Sequence, residues 1–194
     1  MKPKPQKRNA LAKVFVSLSG GIDSTACAAF YLQRGFSVRA VFVDYGQIAA
    51  RREEEAAKAV ARNYQIHLLK LRWSGLSQKN AGLITGRNAF LLFAAFMEMP
   101  EDVRILALGI HSGTQYRDCS PLFIRKVQSL FDTYTGGRLQ IGAPFLKWTK
   151  ADIWTYCRSQ GVPVELTYSC ERGQDQPCGQ CLSCRDLEAL NAYA

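Results

Sequence analysis

The sequence of 194 residues predicts an α/β protein built on a doubly wound, mostly parallel five-stranded sheet, with a C-terminal cysteine-rich segment appended. Three observations carry that expectation. Short β-rich apolar runs alternate with longer helical patterns, the signature of parallel βαβ units. Polar, often glycine-bearing strings follow four of the strands, the edge at which open α/β sheets bind ligands. Four of the seven cysteines crowd into fifteen residues near the end. At 47% hydrophobic residues the chain can bury one main core. Residues 13–165 are therefore expected as the catalytic domain, 166–194 as a metal-binding segment, and 1–12 as a basic, disordered tail.

Taken in order, "KVFVSL" reads as a buried strand and "DSTACAAFYLQRG" as the helix after it, closed by Gly35. "SVRAVFVDYG" supplies the second strand, and "AARREEEAAKAVARNYQ" a second helix rich in strong helix formers. "IHLLKLRW" is the third strand. After an irregular stretch through Gly82, "GRNAFLLFAAFMEM" reads as a mostly buried helix, "RILALGI" as the fourth strand and "PLFIRKVQSLFDTY" as an amphipathic helix. It ends at Gly136 and Gly137. "LQIGAPFL" and "KADIWTYCRSQG" complete the pattern with a fifth strand and its helix. Consequently "SGG", "DYGQ", "HSGTQYRDC" and "LKWTK", which follow strands one, two, four and five, are expected to converge on one edge.

The net charge is +9, but Lys2, Lys4, Lys7 and Arg8 account for four of it in the tail, leaving +5, which suits a polyanionic nucleotide such as ATP as well as RNA. The N-terminus has charge without a following apolar signal region, and the longest apolar run, 89–97, is too short to cross a bilayer. A soluble, cytoplasmic protein without membrane attachment is the expectation. In a reducing compartment the C-x7-C-x2-C-x2-C spacing of Cys170, Cys178, Cys181 and Cys184 reads as metal ligation. A closed tetrahedral zinc site suits four thiolates, and an iron–sulfur cluster is the alternative. Such a metal would tie the last thirty residues to the domain, adding folding energy rather than chemistry.

The first glycine turn carries the chemistry. Unpaired backbone N–H groups at a helix start make an anion cradle. Ser19, Gly20 and Gly21 would form the turn, with Asp23, Ser24 and Thr25 opening the helix. It is neither a dinucleotide fingerprint, since no third glycine follows, nor a lysine-bearing phosphate loop, since no lysine precedes Ser24. "SGGIDS" instead resembles the signature of the PP-loop ATP pyrophosphatases, of the adenine nucleotide alpha hydrolase-like fold, in which the loop holds the departing pyrophosphate while AMP is transferred. The N–H groups and the Ser19 and Ser24 hydroxyls would stabilise charge growing on the leaving oxygens. Asp23 would bind or orient the Mg²⁺; the plainer reading is an acid at a helix N-terminus.

Together "SLSGGIDST", "VDYGQ", "GRN", "RDC", "APFLKWTKADI" and "YSCERGQDQPCGQCLSC" resemble the 7-cyano-7-deazaguanine synthases (QueC-like) over nearly the whole chain from Val14. The resemblance implies a ligase that adenylates the carboxylate of 7-carboxy-7-deazaguanine, with ammonia giving the amide and a second adenylation the nitrile, in queuosine biosynthesis. By position, it implies that Ser19, Gly20, Gly21, Asp23 and Ser24 hold the phosphates and that Tyr45, Gly46 and Gln47 lie beside the nucleotide. Arg87, Asn88 and Lys150 would face phosphate or substrate carboxylate, with Asp23 and Lys150 catalytic. Helix capping for Arg87 and Asn88, and plain solvation for Lys150, are the alternatives. His111 and Asp118 fall in the loop expected to shape the acceptor pocket, His111 as an acid or base or as a structural residue. Cys119 reads as a buried thiol rather than a nucleophile. ATP, Mg²⁺ and Zn²⁺ are the implied cofactors and a homodimer the expected assembly. The loop after strand four departs from the family pattern D-[FY]-S-G-Y-P-D-C-R, keeping Asp118 and Cys119 but lacking the earlier acid and the later arginine. Two alternatives follow: the same adenylation serving conjugation to a protein or nucleic-acid amine, as in antiviral defence, or a tRNA-modifying enzyme of thiolase or lysidine type.

Overall fold

A computed structural model describes residues 12–74, 84–114 and 116–191. The expected basic tail, apart from its last residue, and most of the irregular stretch before residue 84 lie outside them. Five parallel strands, β1 (Lys13–Ser17), β2 (Ser37–Asp44), β3 (Leu68–Arg72), β4 (Ile105–Leu108) and β5 (Gln140–Gly142), lie in the order β3-β2-β1-β4-β5. The order reverses between β1 and β4, so the crevice falls beyond their carboxyl ends. β1 pairs with both neighbours, Val16 standing opposite Ala40 of β2 and Ala107 of β4.

Helices cover both faces, which is why the strands read as continuous apolar runs. Val14 and Val16 pack with α1 (Ile22–Gln33) and α5 (Lys150–Ser159), while Ala40 and Phe42 meet α2 (Ala50–Asn63) on the same side. Phe15, Val41, Val43 and Leu106 point the other way, onto α3 (Arg87–Met97) and α4 (Pro121–Thr135). Every predicted strand and helix is present. α4 is capped by the Ser120 hydroxyl, which accepts from the Phe123 N–H, and α5 by a Thr149/Asp152 capping box. The fifth strand is shorter than its apolar run because a turn closed by the Leu146 N–H donating to Ala143 O, with Pro144 inside it, ends the ladder. Three features are new: 3-10 turns at Arg117–Cys119 and Val164–Leu166, and a sixth helix, α6 (Leu182–Asn191), which carries Cys184.

Two glycines let the layers close around the crevice. Gly20, at φ +83°, lies so close to α2 that a Cβ there would sit 2.4 Å from Glu53 O. Gly109, just past β4, lies against the first turn of α1, where a Cβ would fall 2.2 Å from Asp23 O. Backbone cannot yield as a flexible side chain can. Gly109→Ala is therefore expected to destabilise the protein by about 3 kcal/mol, the upper end of ordinary overpacking costs, as a lowered denaturant midpoint at unchanged slope.

Candidate active site

The crevice between β1 and β4 opens into a cavity of about 290 Å³. Its floor is the predicted phosphate turn. Ser19 and Ser24 hydroxyls stand 3.1 Å apart, Ser24 Oγ donates to Gly21 O at 3.0 Å, and Gly21 precedes α1 in extended conformation, leaving the first N–H groups of that helix facing the crevice end. The positive φ of Gly20 turns its carbonyl to accept from the Tyr168 N–H at 2.9 Å, which fixes the turn from the C-terminal side.

Asp23 projects from the first turn of α1. Lys150, at the start of α5, donates to its Oδ1 at 2.5 Å, an ion pair between residues 127 apart in sequence. Oδ2 is 3.8 Å from His111 Nε2, outside hydrogen-bond range, and so is open to a further partner. His111, 6% exposed, lies three residues beyond the end of β4 beside this pair, and its Nδ1 has no hydrogen-bond partner among the described residues. Burial lowers the His111 pKa; Asp23 pulls the other way and Lys150 adds to the lowering, so the imidazole is neutral near pH 7.

The "DYGQ" loop is held from inside. Gln47 Oε1 accepts from the Tyr45 N–H at 2.9 Å, its Nε2 donates to Glu53 Oε2 at 2.8 Å, and Asp44 Oδ1 accepts from the Gly46 N–H at 3.1 Å. Gln47 lines the cavity, whereas Tyr45 and Gly46 stand outside its lining, Tyr45 packing edge-on against Phe90 with centroids 6.2 Å apart. Glu53 also lines it. Burial pushes the Glu53 carboxyl upward, and the Gln47 hydrogen bond and Arg87 charge oppose that shift.

Arg87 and Asn88 open α3 and both line the cavity. Asp118 does not. Its carboxylate accepts from the Asn88 N–H at 3.1 Å while its carbonyl accepts from Asn88 Nδ2 at 3.1 Å, so Asp118 caps α3 across the fold. Asn88 thus shows the capping reading, in the reverse sense: it is the residue being capped. Cys119 borders the cavity, and burial raises its thiol pKa, keeping it protonated.

The third wall was not foreseen. Tyr168, Ser169, Glu171, Ser183, Asp186 and Leu187 all line the cavity. Glu171 Oε1 accepts from the Ser183 N–H and hydroxyl, starting α6 at the cavity edge. The segment is fitted closely to the loop after β2: at Gly173, φ +65°, a Cβ would lie 2.6 Å from Ile48 O. Between these contacts the Sγ atoms of Cys170, Cys178, Cys181 and Cys184 all lie within 4.8 Å of one another. Ligands 2.3 Å from a tetrahedral ion stand about 3.8 Å apart, so the group fits one four-thiolate metal ion. The N–H groups of Gln180 and Cys181 draw the Cys178 thiol down to about 6, favouring the ligating thiolate.

A parallel sheet in this order with "SGGIDS" at its switch point defines the class, the PP-loop enzymes of ATP. Two solved structures share the fold: an NMN synthetase from Francisella tularensis (TM-score 0.54, 16% identity, 95% of this chain and 84% of that one) and a 4-thiouridine synthetase in complex with RNA and bound ATP (TM-score 0.53, 16% identity, 93% and 50%). Within the class, a family profile described as "Queuosine biosynthesis protein QueC" matches residues 13–85 and 77–193. A 7-cyano-7-deazaguanine synthase of Methanoculleus marisnigri is 32% identical across 90% of this chain and 91% of its own, and that of Gloeothece citriformis 31% identical across 89% and 88%. The chain belongs to the QueC family, and it is an ATP-dependent carbon–nitrogen ligase. Among the described residues no helix is long and apolar enough to cross a membrane.

Proposed function

We propose that this enzyme adenylates the carboxylate of 7-carboxy-7-deazaguanine and converts it with ammonia to the amide and then the nitrile. The observation that carries the reading is the joining, in one crevice, of a serine–glycine anion turn, the Asp23–Lys150 pair and a cavity large enough for a flat acceptor. A substrate carboxylate oxygen attacks the α-phosphorus of ATP, and the bond to the bridging oxygen breaks. Ser19, Gly20, Gly21 and Ser24 receive the pyrophosphate, their N–H and hydroxyl groups being already oriented. Lys150, oriented by Asp23, meets phosphate charge, and Gln47 fixes the loop beside the nucleotide. Asp23, with Oδ2 open, would hold Mg²⁺, which when bound neutralises charge on the phosphate oxygens.

Ammonia then attacks the acyl carbon, AMP leaves and a proton is released. In the second cycle the amide oxygen attacks the α-phosphorus of another ATP, pyrophosphate and one N–H proton leave, and loss of AMP with the remaining N–H proton gives the nitrile. The four thiolates would hold Zn²⁺ as a closed structural site. A thiolase-type mechanism finds little support, because Cys119, the one cysteine lining the cavity among the described residues, is a protonated, buried thiol.

The test is incubation with ATP, Mg²⁺, 7-carboxy-7-deazaguanine and ammonium, with products weighed by mass spectrometry. Amide or nitrile, formed with stoichiometric AMP and pyrophosphate, is the expected result. AMP release that requires an added protein or nucleic acid would mean conjugation instead, and absence of AMP with every deazaguanine would overturn the proposal.

A further inference from the structure

We propose that Glu53 and Arg87 together read the aminopyrimidinone edge of the base, which rests on the substrate reading above. The carboxylate accepts from the ring N1–H and the exocyclic amine, and the guanidinium donates to the ring carbonyl oxygen. Both side chains line the cavity, one from the first turn of α2 and the other from the first residue of α3. Glu53 Oε2 takes a hydrogen bond from Gln47, and Oε1 has no hydrogen-bond partner among the described residues. Arg87 is close enough to bear on the Glu53 charge, yet the two form no ion pair within 4.0 Å. Opposite charges facing one cavity without closing on each other leave space for a ligand that satisfies both.

The ligand edge that fits is an acceptor next to two donors. A guanine-type lactam presents a carbonyl oxygen, a ring N–H and an amine in that order, whereas adenine would turn a lone pair toward the carboxylate. Each charged group also has an apolar residue four positions away at the same cavity: Ala49, the residue just before α2, ahead of Glu53, and Leu91 after Arg87 on the same face of α3. Those residues provide cover for a flat ring whose edge is hydrogen-bonded. The other carboxylates are committed or wet. Asp23 pairs with Lys150, Glu171 starts α6, Asp118 caps α3, and Asp186 is exposed.

Steady-state AMP formation should be compared for 7-carboxy-7-deazaguanine and its analogue lacking the 2-amino group, in the wild type and in Glu53→Gln. A site whose half-buried acceptor is left unpaired discriminates strongly, so the wild type should lose about 100-fold or more in kcat/KM on the analogue. In Glu53→Gln the KM for the guanine-type base should rise by about 100-fold, the KM for ATP should stay within about threefold, and discrimination between the two bases should shrink below about tenfold. Gln at 53 can still accept from Gln47, so the loop and the unfolding midpoint should be kept. A wild type that treats the two bases alike overturns the assignment without any variant, as does a Glu53→Gln variant whose defect lies in the KM for ATP. Lack of AMP with any deazaguanine overturns the proposed function as well.

Discussion

Asp23→Ala is expected to slow AMP formation by about 10³-fold, the scale set by removing one preorganised group that meets transition-state charge. Two losses combine. Lys150 Nζ sits 2.5 Å from Asp23 Oδ1, and without that partner the lysine side chain has no fixed direction toward phosphate. The open Oδ2, the position for a divalent cation, disappears too. Stability should change far less. An acid in the first helical turn contributes about 0.3–1 kcal/mol, and the Asp23 and Lys150 side chains are both about a quarter exposed, so solvent screens their pairing. The check is a pair of measurements on one preparation: AMP release by stopped assay and unfolding by denaturant, with metal content as a control, since the four thiolates lie on another segment. A variant retaining turnover within about tenfold of wild type would remove Asp23 from the mechanism.

The first five helices and all five strands were readable because parallel strands buried on both faces are continuous apolar runs, and the helices between them have full periodicity. The convergence of "SGG", "DYGQ" and the β4 loop followed from topology alone. What stayed hidden depended on tertiary contact. Glu53 lies in "RREEE", where a solvated helix face is the default reading, and only the fold shows it turned inward beneath Gln47. Gly109 follows an ordinary strand, and its one signal was a glycine near the end of an apolar run beside a polar loop. Asp118 fell within a family motif and so read as a substrate ligand, yet the folded chain directs its carboxylate to the N-terminus of α3. α6 was invisible because its start overlaps the cysteine spacing and its apolar residues are sparse.

That last omission leads to the second large effect. Within α6 and the loop before it, Cys170, Cys184 and Leu190 are the only buried apolar groups among the described residues, too few to order about twenty residues against their conformational entropy. The polar ties to the domain are few: the Tyr168 N–H to Gly20 O, and ion pairs from Arg51 and Arg52 to the exposed Asp175. Exposed pairs of that kind contribute about 0–1 kcal/mol each. A metal ion held by the four thiolates would then supply most of the order, as it does wherever a cage of ligands exists only in the folded state. Because the same segment walls the cavity and fixes the phosphate turn through Tyr168, a metal bound there would have more than the purely structural role its spacing suggested. Removing it with a strong chelator, or replacing Cys178 with Ser, is expected to melt the ten residues of α6 while leaving the sheet domain folded. Circular dichroism should show that helix loss, and limited proteolysis should cut between 170 and 184. The KM for ATP should rise by at least about tenfold, a loss of about 1.4 kcal/mol. Restoring Zn²⁺ to the chelated wild type, but not to Cys178→Ser, should reverse all three changes. Unaltered ATP kinetics in a protein whose segment has become protease-sensitive would separate the metal site from the active site.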